Sequence, residues 1–243
     1  MTSPCRLAFL GDVHGNLPAL EAVLDDLRAW GAEAVYDIGD LLGYGPQPNE
    51  VIALLRERAI PSILGNYDKK VLKFHAKRAT YRRKKHPLKF RSFEWTDSVL
   101  TDEARRYVAE LPVERRVSHG GRTFLLVHAR PGSDKKGLMP DTPETKLAKI
   151  AKQADADVLV CGHTHLPFVR AAGGVLFINT GTVGRCPGGK AHYARCELGE
   201  EIAAETVTVA YNLDRLLAAV AESGLPDAFL EYFRTGRDLE EIG

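Results

Sequence analysis

Side chains that bind metal ions recur after short apolar runs in this chain of 243 residues. They are aspartate, asparagine and histidine, and they fall in five blocks: Gly11-Asp12-Val13-His14-Gly15-Asn16, Gly39-Asp40, Gly65-Asn66-Tyr67-Asp68, Val127-His128-Ala129 and Gly162-His163-Thr164-His165. Imidazole nitrogen and carboxylate oxygen, without thiolate, suit Mn²⁺, Fe or Zn²⁺ with open positions for water. One such block is common and indicates little, but five in this order predict a metal site.

The spacing of apolar residues predicts the elements that must position these blocks. In the first 65 residues, strands over 6–10, 34–38 and 60–64 alternate with helices over 17–30 and 48–57. This alternation favours a parallel sheet flanked by helices. Each of the first three blocks follows one of these strands directly. Because ligands bind beyond the carboxyl ends of parallel strands, we expect the blocks to meet at that edge.

The second half of the chain is predicted to be rich in strands. A helix begins after Thr101 and another covers 142–154, whereas strands are predicted over 113–118, 122–128, 158–161, 168–171, 175–179, 192–197 and 202–209. Residues 212–239 are predicted to be mostly helical, and 69–91 show no clear element. About ten strands do not fit one open sheet comfortably. Two sheets packed face to face, with helices outside, are therefore expected.

The five blocks, in this order across residues 11–165, resemble the signature blocks of the calcineurin-like metallophosphoesterase superfamily. The stretch NTGTVG at 179–184 is similar to the loop that follows the metal histidines in that family, and GDLLGYGPQPNEV resembles its small prokaryotic branch. The resemblance implies an α/β fold, a four-layer αββα sandwich of two mixed sheets with flanking helices and a metal site at the carboxyl ends of strands. It also implies a single metallophosphoesterase domain over residues 1–243.

The resemblance further assigns ligands to two divalent metal ions. It implies that one ion is held by Asp12, His14, Asp40 and His165, and the other by Asp40, Asn66, His128 and His163, so that Asp40 bridges them. Two ions in such a site activate a bridging hydroxide and clamp the attacking and leaving oxygens of a displacement at phosphorus. The implied protein is a metal-dependent phosphoesterase, with Mn²⁺ favoured, Fe or Zn²⁺ as alternatives, and a catalytic group made of Asp40, Asn66, Tyr67 and Asp68.

The third block departs from the family pattern at Tyr67, where a histidine that assists the leaving group is common. A phenol, with an ordinary pKa of about 10, is a poor proton donor near neutral pH. We therefore expect substrates whose leaving groups need little protonation, namely nucleotide-like phosphodiesters or phosphoanhydrides. His75, His86 and His119 remain alternative proton donors at this stage.

Other residues are candidates for binding substrate. Arg130 follows a predicted ligand by two positions, and Arg185 lies in the glycine-bounded loop GTVGRCPGG, so each is placed to contact a phosphate. Arginine binds phosphate through two parallel N–H donors. The alternative for each is an ordinary solvated surface arginine.

Positive charge is concentrated in one segment. Residues 69–91 hold 11 Lys or Arg and no Asp or Glu, which leaves 22 of the 33 basic residues against all 32 acidic residues elsewhere. The segment begins beside the third block, so we interpret 69–93 as a cap-like insertion that attracts a polyanionic substrate, with Lys69, Arg82 and Arg83 as contacts. Phe74, Tyr81, Phe90 and Phe93 interleave with the charges and would allow base stacking by a nucleic acid. A solvated surface is the alternative.

The composition of the chain limits the classes of protein to which it can belong. The net charge of +1 excludes a histone-like protein, and no apolar run approaches the ~18 residues of a membrane helix. The four cysteines show no CxxC spacing, which favours a reducing cytoplasm. A phosphomonoesterase, including a protein phosphatase, and a non-catalytic metal-binding scaffold remain alternatives, as does a pure nucleic-acid-binding module.

Overall fold

In the computed structural model, which describes residues 5–242, nine strands pair into two mixed sheets. The strands are β1 (Cys5–Leu10), β2 (Ala34–Asp37), β3 (Glu114–His119), β4 (Arg122–Val127), β5 (Val158–Cys161), β6 (Phe168–Ala172), β7 (Val175–Asn179), β8 (Lys190–Leu198) and β9 (Ile202–Ala210). The first sheet has the order β2-β1-β8-β9 and the second the order β3-β4-β5-β7-β6. Pairs β1–β2, β4–β5 and β5–β7 are parallel, so β1 and β2 end at one edge, as do β4 and β5.

Helices cover the outer faces of both sheets. They are α1 (Leu17–Trp30), α2 (Pro48–Glu57), α3 (Asn66–Leu72), α4 (Phe74–Lys84), α5 (Pro87–Val99), α6 (Asp102–Glu110), α7 (Glu144–Ala154), α8 (Leu213–Ser223), α9 (Ala228–Thr235) and α10 (Leu239–Ile242). The residues that flank helix α1 fix where it begins and ends. The Asn16 side chain accepts a hydrogen bond from the Ala19 backbone N–H at 3.1 Å, and Gly31 ends the helix in the left-handed region.

The alternation of side chains along β1 produces the layered core. Leu7 and Phe9 pack with Phe124 and Val160 of the second sheet, whereas Leu10 faces the helices on the other side. Helix α7 covers the far face of the second sheet through a separate cluster of buried residues. The order of layers is therefore helices, sheet, sheet, helix, which confirms the predicted αββα sandwich.

Two local predictions are wrong. Residues 60–64 do not form a strand, because they make one isolated bridge, between Ser62 and Asp37, in which the Ile63 N–H donates to the Asp37 carbonyl at 3.2 Å. The pairing stops there, since the Leu64 N–H donates to the Pro112 carbonyl at 2.7 Å. Residues 69–91, which show no clear element in the sequence, lie almost entirely in α3, α4 and α5. Between residues 5 and 242, no helix is both long and apolar enough to cross a membrane.

The aromatic residues of the basic segment also contradict the expectation of base stacking. Phe74, Phe90 and Phe93 are buried in the same cluster as the core residues of α1 and α2. Tyr81 is half-buried and lies against Phe74 and Phe93. These rings anchor α4 and α5 to the rest of the fold, and the three buried phenylalanines are not accessible to the bases of a nucleic acid.

Candidate metal centre

Short loops at the carboxyl ends of β1 and β2 lie side by side. The Asp12 N–H donates to the Gly39 carbonyl at 2.8 Å, and the His14 N–H donates to the Asp40 carbonyl at 2.9 Å. A Cβ added to Gly65 would lie 2.1 Å from the Asp40 backbone nitrogen, so only glycine allows the third block to approach this closely. The backbone itself therefore brings the first three blocks together.

Five of the seven predicted ligands have left-handed backbone conformations, which are uncommon for residues other than glycine. They are Asp12, His14, Asp40, His163 and His165, with φ between 49° and 66°. Such conformations cost free energy and persist where surrounding structure imposes them, often at functional sites. Because of these conformations, His163-Thr164-His165 is not an extended segment, and its two rings have different neighbours. The His163 ring lies beside His128 and the His165 ring beside His14.

Two buried histidines aim an unpartnered nitrogen at the same space. His14 Nδ1 donates to the Leu42 carbonyl at 2.9 Å, and His128 Nδ1 donates to the Ile38 carbonyl at 3.0 Å. Because a carbonyl only accepts, Nδ1 carries a proton in each ring, and Nε2 is the atom left to bind a metal ion. Both Nε2 atoms are buried without a hydrogen-bond partner among the described residues. This is how metal-ligating histidines are oriented in proteins.

The carboxylates of Asp12 and Asp40 lie between these rings. Asp40 Oδ2 is 3.8 Å from His14 Nε2 and 3.4 Å from His128 Nε2, so it stands between the two histidines. Asp12 Oδ1 is 3.1 Å from His165 Nε2 and 3.8 Å from His14 Nε2. Ligand atoms converge within 4.8 Å in two groups: Asp12, His14 and His165, and Asp12, Asp40 and His128.

Asn66 and His163 complete the arrangement. His163 Nε2 donates to the Lys135 carbonyl at 3.1 Å, which leaves Nδ1 as the acceptor atom, 3.3 Å from the Asn66 amide nitrogen. The Asn66 Oδ1 atom is buried and unpartnered among the described residues. The seven predicted ligands are thus neighbours around Asp12 and Asp40, with His163 beside His128 and Asn66, and His165 beside His14.

The electrostatics of this space favour a cation. Burial lowers the pKa of His14 to about 3, so its imidazole is neutral. Burial also lowers the pKa of His128, but the neighbouring Asp40 carboxylate outweighs it and raises that pKa to about 10. Burial raises the pKa of Asp40, yet the charge of His128 holds it well below its usual range. A proton on His128 thus balances buried negative charge, and metal binding displaces such protons. The donor set therefore fits divalent metal ions.

Asp68, a catalytic candidate by its place in the third block, holds the neighbouring loops. Its buried carboxylate accepts hydrogen bonds from the backbone N–H groups of Asp40 and Leu42, each at 3.0 Å, and of Gly65 at 2.9 Å. Burial, followed by the charge of Asp40, raises the pKa of Asp68 to about 7. Since its oxygens are engaged by backbone, Asp68 is a positioning residue for Asp40.

Tyr67 lies beside the ligands but keeps its proton. Its ring stands edge-on to His14, with 5.1 Å between ring centroids, and its hydroxyl lies 3.0 Å from that of Tyr44. Burial raises the pKa of Tyr67 well above its usual range. The alternative donors His75 and His119 contact Asp97 and Tyr36 respectively, and neither belongs to the two groups of ligand atoms that converge at the centre.

The predicted substrate contacts are only partly brought to the site. Arg130 and Lys69 line a cleft of about 220 Å³ together with His128, and Lys69 Nζ pairs with Asp134 at 2.8 Å. Arg185 lies with its guanidinium 3.8 Å from the centroid of the Tyr44 ring, close to the ligands. Arg82 and Arg83 are exposed on α4 and make no contact with the predicted ligands.

Sequence reasoning missed two residues beside the centre. Lys70 follows Asn66 by four positions on α3 and therefore lies on the same helix face, with its Nζ 3.9 Å from the Tyr67 ring centroid. That relation is invisible until residues 66–72 are known to be a helix. Tyr232 on α9 accepts a hydrogen bond from Arg185 Nε. No signal in the sequence links residues 47 positions apart in this way.

The chain is similar to a known protein family and to several known proteins. A family model described as the calcineurin-like phosphoesterase superfamily domain matches residues 5–201. The uncharacterised protein MJ0912 of Methanocaldococcus jannaschii is 28% identical, over 95% of this chain and 98% of that protein. The phosphodiesterase YfcE of Escherichia coli K12 is 27% identical, over 76% of this chain and 82% of that enzyme.

Two further relatives add a structure and a second activity. The crystal structure of a metallophosphoesterase from Sphaerobacter thermophilus superposes with a TM-score of 0.74, at 27% identity, over 95% of this chain and 98% of that one. A symmetrical bis(5'-nucleosyl)-tetraphosphatase of Acidovorax is 28% identical, over 57% of this chain and 47% of that protein. The match to the family model covers most of the chain and includes every predicted metal ligand.

Proposed function

This chain belongs to the calcineurin-like phosphoesterase superfamily, and we propose that it is a binuclear metallohydrolase of nucleotide-like phosphodiesters or phosphoanhydrides. One observation carries the proposal. The unpartnered His14 Nε2, His128 Nε2 and Asn66 Oδ1 atoms surround the Asp40 carboxylate, in a buried space where unsatisfied polar atoms are costly. Divalent cations between these atoms would satisfy all of them.

The ligand sets follow from which rings are neighbours. Asp12, His14 and His165 would hold one ion, Asn66, His128 and His163 the other, and Asp40 both. We favour Mn²⁺ because the donors are nitrogen and oxygen without thiolate, with Fe and Zn²⁺ as alternatives. Two such ions supply an activated water and neutralise charge on the phosphoryl oxygens. We take the metal site and the 69–93 insertion to belong to one and the same domain.

The chain's own groups prepare this centre. The Leu42 and Ile38 carbonyls fix the rings of His14 and His128, and the Asp68 carboxylate fixes the backbone on both sides of Asp40. The Tyr67 backbone N–H donates to Asp40 Oδ1 at 2.7 Å and so turns Oδ2 toward the two histidines. Preorganisation of this kind lowers the cost of binding the transition state.

The substrate class follows from the leaving group. Tyr67 retains its proton at neutral pH, so the site lacks a good acid at the position where the family commonly has histidine. A nucleotide phosphate or a phenolate leaves without protonation, whereas an alkoxide, including the sugar oxygen of a nucleic-acid diester, does not. Within the proposed class, the leaving group therefore favours phosphoanhydrides and activated diesters over nucleic acid. The relatives named for phosphodiesterase and tetraphosphatase activity support the same choice. Free thiols at Cys161 and Cys196 agree with our placing the enzyme in the cytoplasm.

A panel of substrates tests the proposal. With Mn²⁺ added, we expect turnover of bis-p-nitrophenyl phosphate and dinucleoside polyphosphates, little turnover of alkyl monoesters or phosphopeptides, and loss of all activity after chelation. Preferred turnover of monoesters would support the phosphomonoesterase or protein phosphatase alternative. Metal binding without turnover of any phosphoester would support a scaffold.

Replacing Tyr67 by histidine should extend the range of leaving groups. We expect Tyr67→His to raise the rate on alkyl monoesters by about tenfold or more, because a positioned general acid contributes about 10²–10⁴-fold and imperfect geometry loses part of that. Activated diesters should change little. The ratio of kcat/KM for the two substrate classes is the measurement. An equal loss on both would show that Tyr67 shapes the pocket and does not limit protonation.

Nucleic acid is the second candidate ligand, and exposed charge on α4 favours it. Arg78 and Arg91 pair with Glu94, whereas no ion pair among residues 5–242 involves Arg82, Arg83, Lys84 or Lys85. These four side chains are therefore free to contact phosphates. The buried aromatic rings limit the contact to the backbone of the nucleic acid, without base stacking.

A fourfold substitution tests this surface. Changing Arg82, Arg83, Lys84 and Lys85 to alanine should raise KM for a single-stranded oligonucleotide and flatten its dependence on salt. The slope of log affinity against log salt should fall by about 0.7 for each phosphate that the variant no longer binds. Hydrolysis of a small chromogenic diester is the control and should stay the same. An unchanged slope would show that these four side chains form an ordinary solvated surface and do not bind nucleic acid.

A further inference from the structure

Two cations lie beside the proposed metal centre without a carboxylate partner. Lys70 Nζ is 3.9 Å from the centroid of the Tyr67 ring, and the Arg185 guanidinium is 3.8 Å from that of the Tyr44 ring. Among residues 5–242, neither side chain forms an ion pair, although the neighbouring Lys69 pairs with Asp134. A cation that is partly removed from water without an anion beside it has lost hydration that a bound anion could replace.

The two cations are built into one aromatic cluster. The Tyr44 and Tyr67 hydroxyls lie 3.0 Å apart, and the ring centroids are separated by 5.4 Å. Each ring therefore carries one cation on its face, which is a favourable arrangement for an ammonium or a guanidinium. His14 contacts both rings edge-on, at centroid distances of 5.4 and 5.1 Å. The cluster thus adjoins the His14 side of the predicted metal centre.

Hydrogen bonds position Arg185, and helix α3 positions Lys70. Arg185 Nε donates to the Tyr232 hydroxyl on α9, and the Arg185 N–H donates to Thr182 Oγ1 at 3.0 Å. The Gly184 N–H, one residue earlier, donates to the Asp12 carbonyl at 2.9 Å, which ties this loop to a predicted ligand. Lys70 stands one helical turn after Asn66. Both side chains are therefore positioned relative to the ligands themselves.

Both cations lie close to the centre. The Arg185 guanidinium stands over the Tyr44 ring, which contacts His14 edge-on at 5.4 Å between ring centroids. Burial lowers the pKa of Lys70 to about 8, while the Asp40 carboxylate opposes this change. Lys70 is thus still mostly protonated at pH 7, with a partly desolvated ammonium group. Such a group gains more from an anion than a fully hydrated one does.

We propose that Lys70 and Arg185 form a second anion subsite, which binds phosphates of the substrate beyond the one attacked at the metal centre. Because the two cations lie on two adjacent rings, they can contact two phosphates of a polyphosphate chain, whereas a substrate with a single phosphate would engage fewer of these charges. The substrate class that fits is a nucleoside or dinucleoside polyphosphate, cleaved at an anhydride. This inference rests on the proposed function, since it names which of the proposed substrates the site prefers.

Charge-removing variants test the subsite. We expect Lys70→Gln and Arg185→Gln each to lower kcat/KM for diadenosine tetraphosphate by about 10- to 100-fold, chiefly through KM, because each variant removes a charge-assisted hydrogen bond to phosphate. The loss on the p-nitrophenyl ester of thymidine 5′-monophosphate, which has one phosphate, should be at least tenfold smaller. Lys77→Gln, an exposed lysine on α4 without an ion pair among the described residues, is the matched control. Thermal unfolding of each variant shows whether the fold is retained.

A binding measurement separates this inference from the proposed function. Calorimetry on chelator-treated protein should show that α,β-methyleneadenosine diphosphate binds more tightly than AMP, and that both glutamine variants abolish the difference. Equal losses on the two substrates, together with no binding preference in the unmodified protein, would overturn the subsite. If the unmodified protein hydrolyses no phosphoester at all, the proposed function fails, while the calorimetric preference still decides whether the anion subsite exists.

Discussion

Asp40→Asn is expected to abolish turnover and to release at least one of the two proposed metal ions. Asp40 Oδ2 lies within 3.8 Å of the Nε2 atoms of His14 and His128, the position from which one carboxylate contacts two ions. An amide oxygen lacks the charge that holds two dications together. We expect kcat/KM for an activated diester to fall by at least about 10³-fold, since metal stabilisation is worth several kcal/mol and about 1.4 kcal/mol is a factor of ten.

Asparagine is the right replacement at this position because it tolerates the left-handed backbone that Asp40 adopts, with φ of 58°. The fold should therefore persist, and circular dichroism and the unfolding temperature should confirm it. Asp25→Asn, which removes an exposed carboxylate that pairs only with Arg28 among the described residues, is the control for loss of charge. Full metal occupancy with a rate near that of the unmodified protein would contradict the role of Asp40.

Asp68→Asn should weaken metal binding and also destabilise the fold. The Asp68 carboxylate accepts three backbone N–H donors, and an asparagine amide presents its own N–H₂ to at least one of them. We expect the free energy of unfolding to fall by about 3 kcal/mol, because a hydrogen bond to a charged group contributes about 1.5–3 kcal/mol. Metal affinity should fall by about 10- to 100-fold, as for other residues that orient ligands.

Saturation with metal distinguishes the two aspartates. Excess Mn²⁺ should restore most of the activity of Asp68→Asn, because its ligands are intact, and should not restore Asp40→Asn. Chemical denaturation measures the stability change, and titration of activity against metal concentration measures the affinity. If Asp68→Asn keeps its stability and its metal affinity but loses turnover, Asp68 acts on the substrate directly, as its place in the third block suggests.

The fold is accessible from the sequence because its elements carry local signals. Helices α1 and α2 begin and end where the apolar spacing and the flanking Pro and Gly residues predict them. The strand predicted at 60–64 is wrong because an apolar run shows burial but not hydrogen bonding, and the Leu64 N–H turns to Pro112. The helices of the basic segment escape prediction because charged residues dominate their sequence, whereas the burial of Phe74 and Phe90, whose rings contact each other, is evident only in the fold.

The candidate site likewise has a part that local sequence predicts and a part that only the fold reveals. The five blocks identify the side chains that the structure gathers, because each block contains its own ligands and four of the five also contain glycine. The tertiary contacts around them have no local signal. Asp68 has the sequence position of a catalytic residue, but its backbone donors Asp40 and Leu42 lie in another loop and give it a different role. The contact of Arg185 with Tyr44 and Tyr232 joins three distant parts of the chain, so no spacing rule predicts it.

The most direct test of the binuclear centre is anomalous diffraction from crystals grown with Mn²⁺. We expect two peaks per chain, one contacting Asp12, His14 and His165, the other contacting Asn66, His128 and His163, and both contacting Asp40. One peak or none at these residues, in a protein that hydrolyses diesters under the same conditions, would contradict the proposed centre.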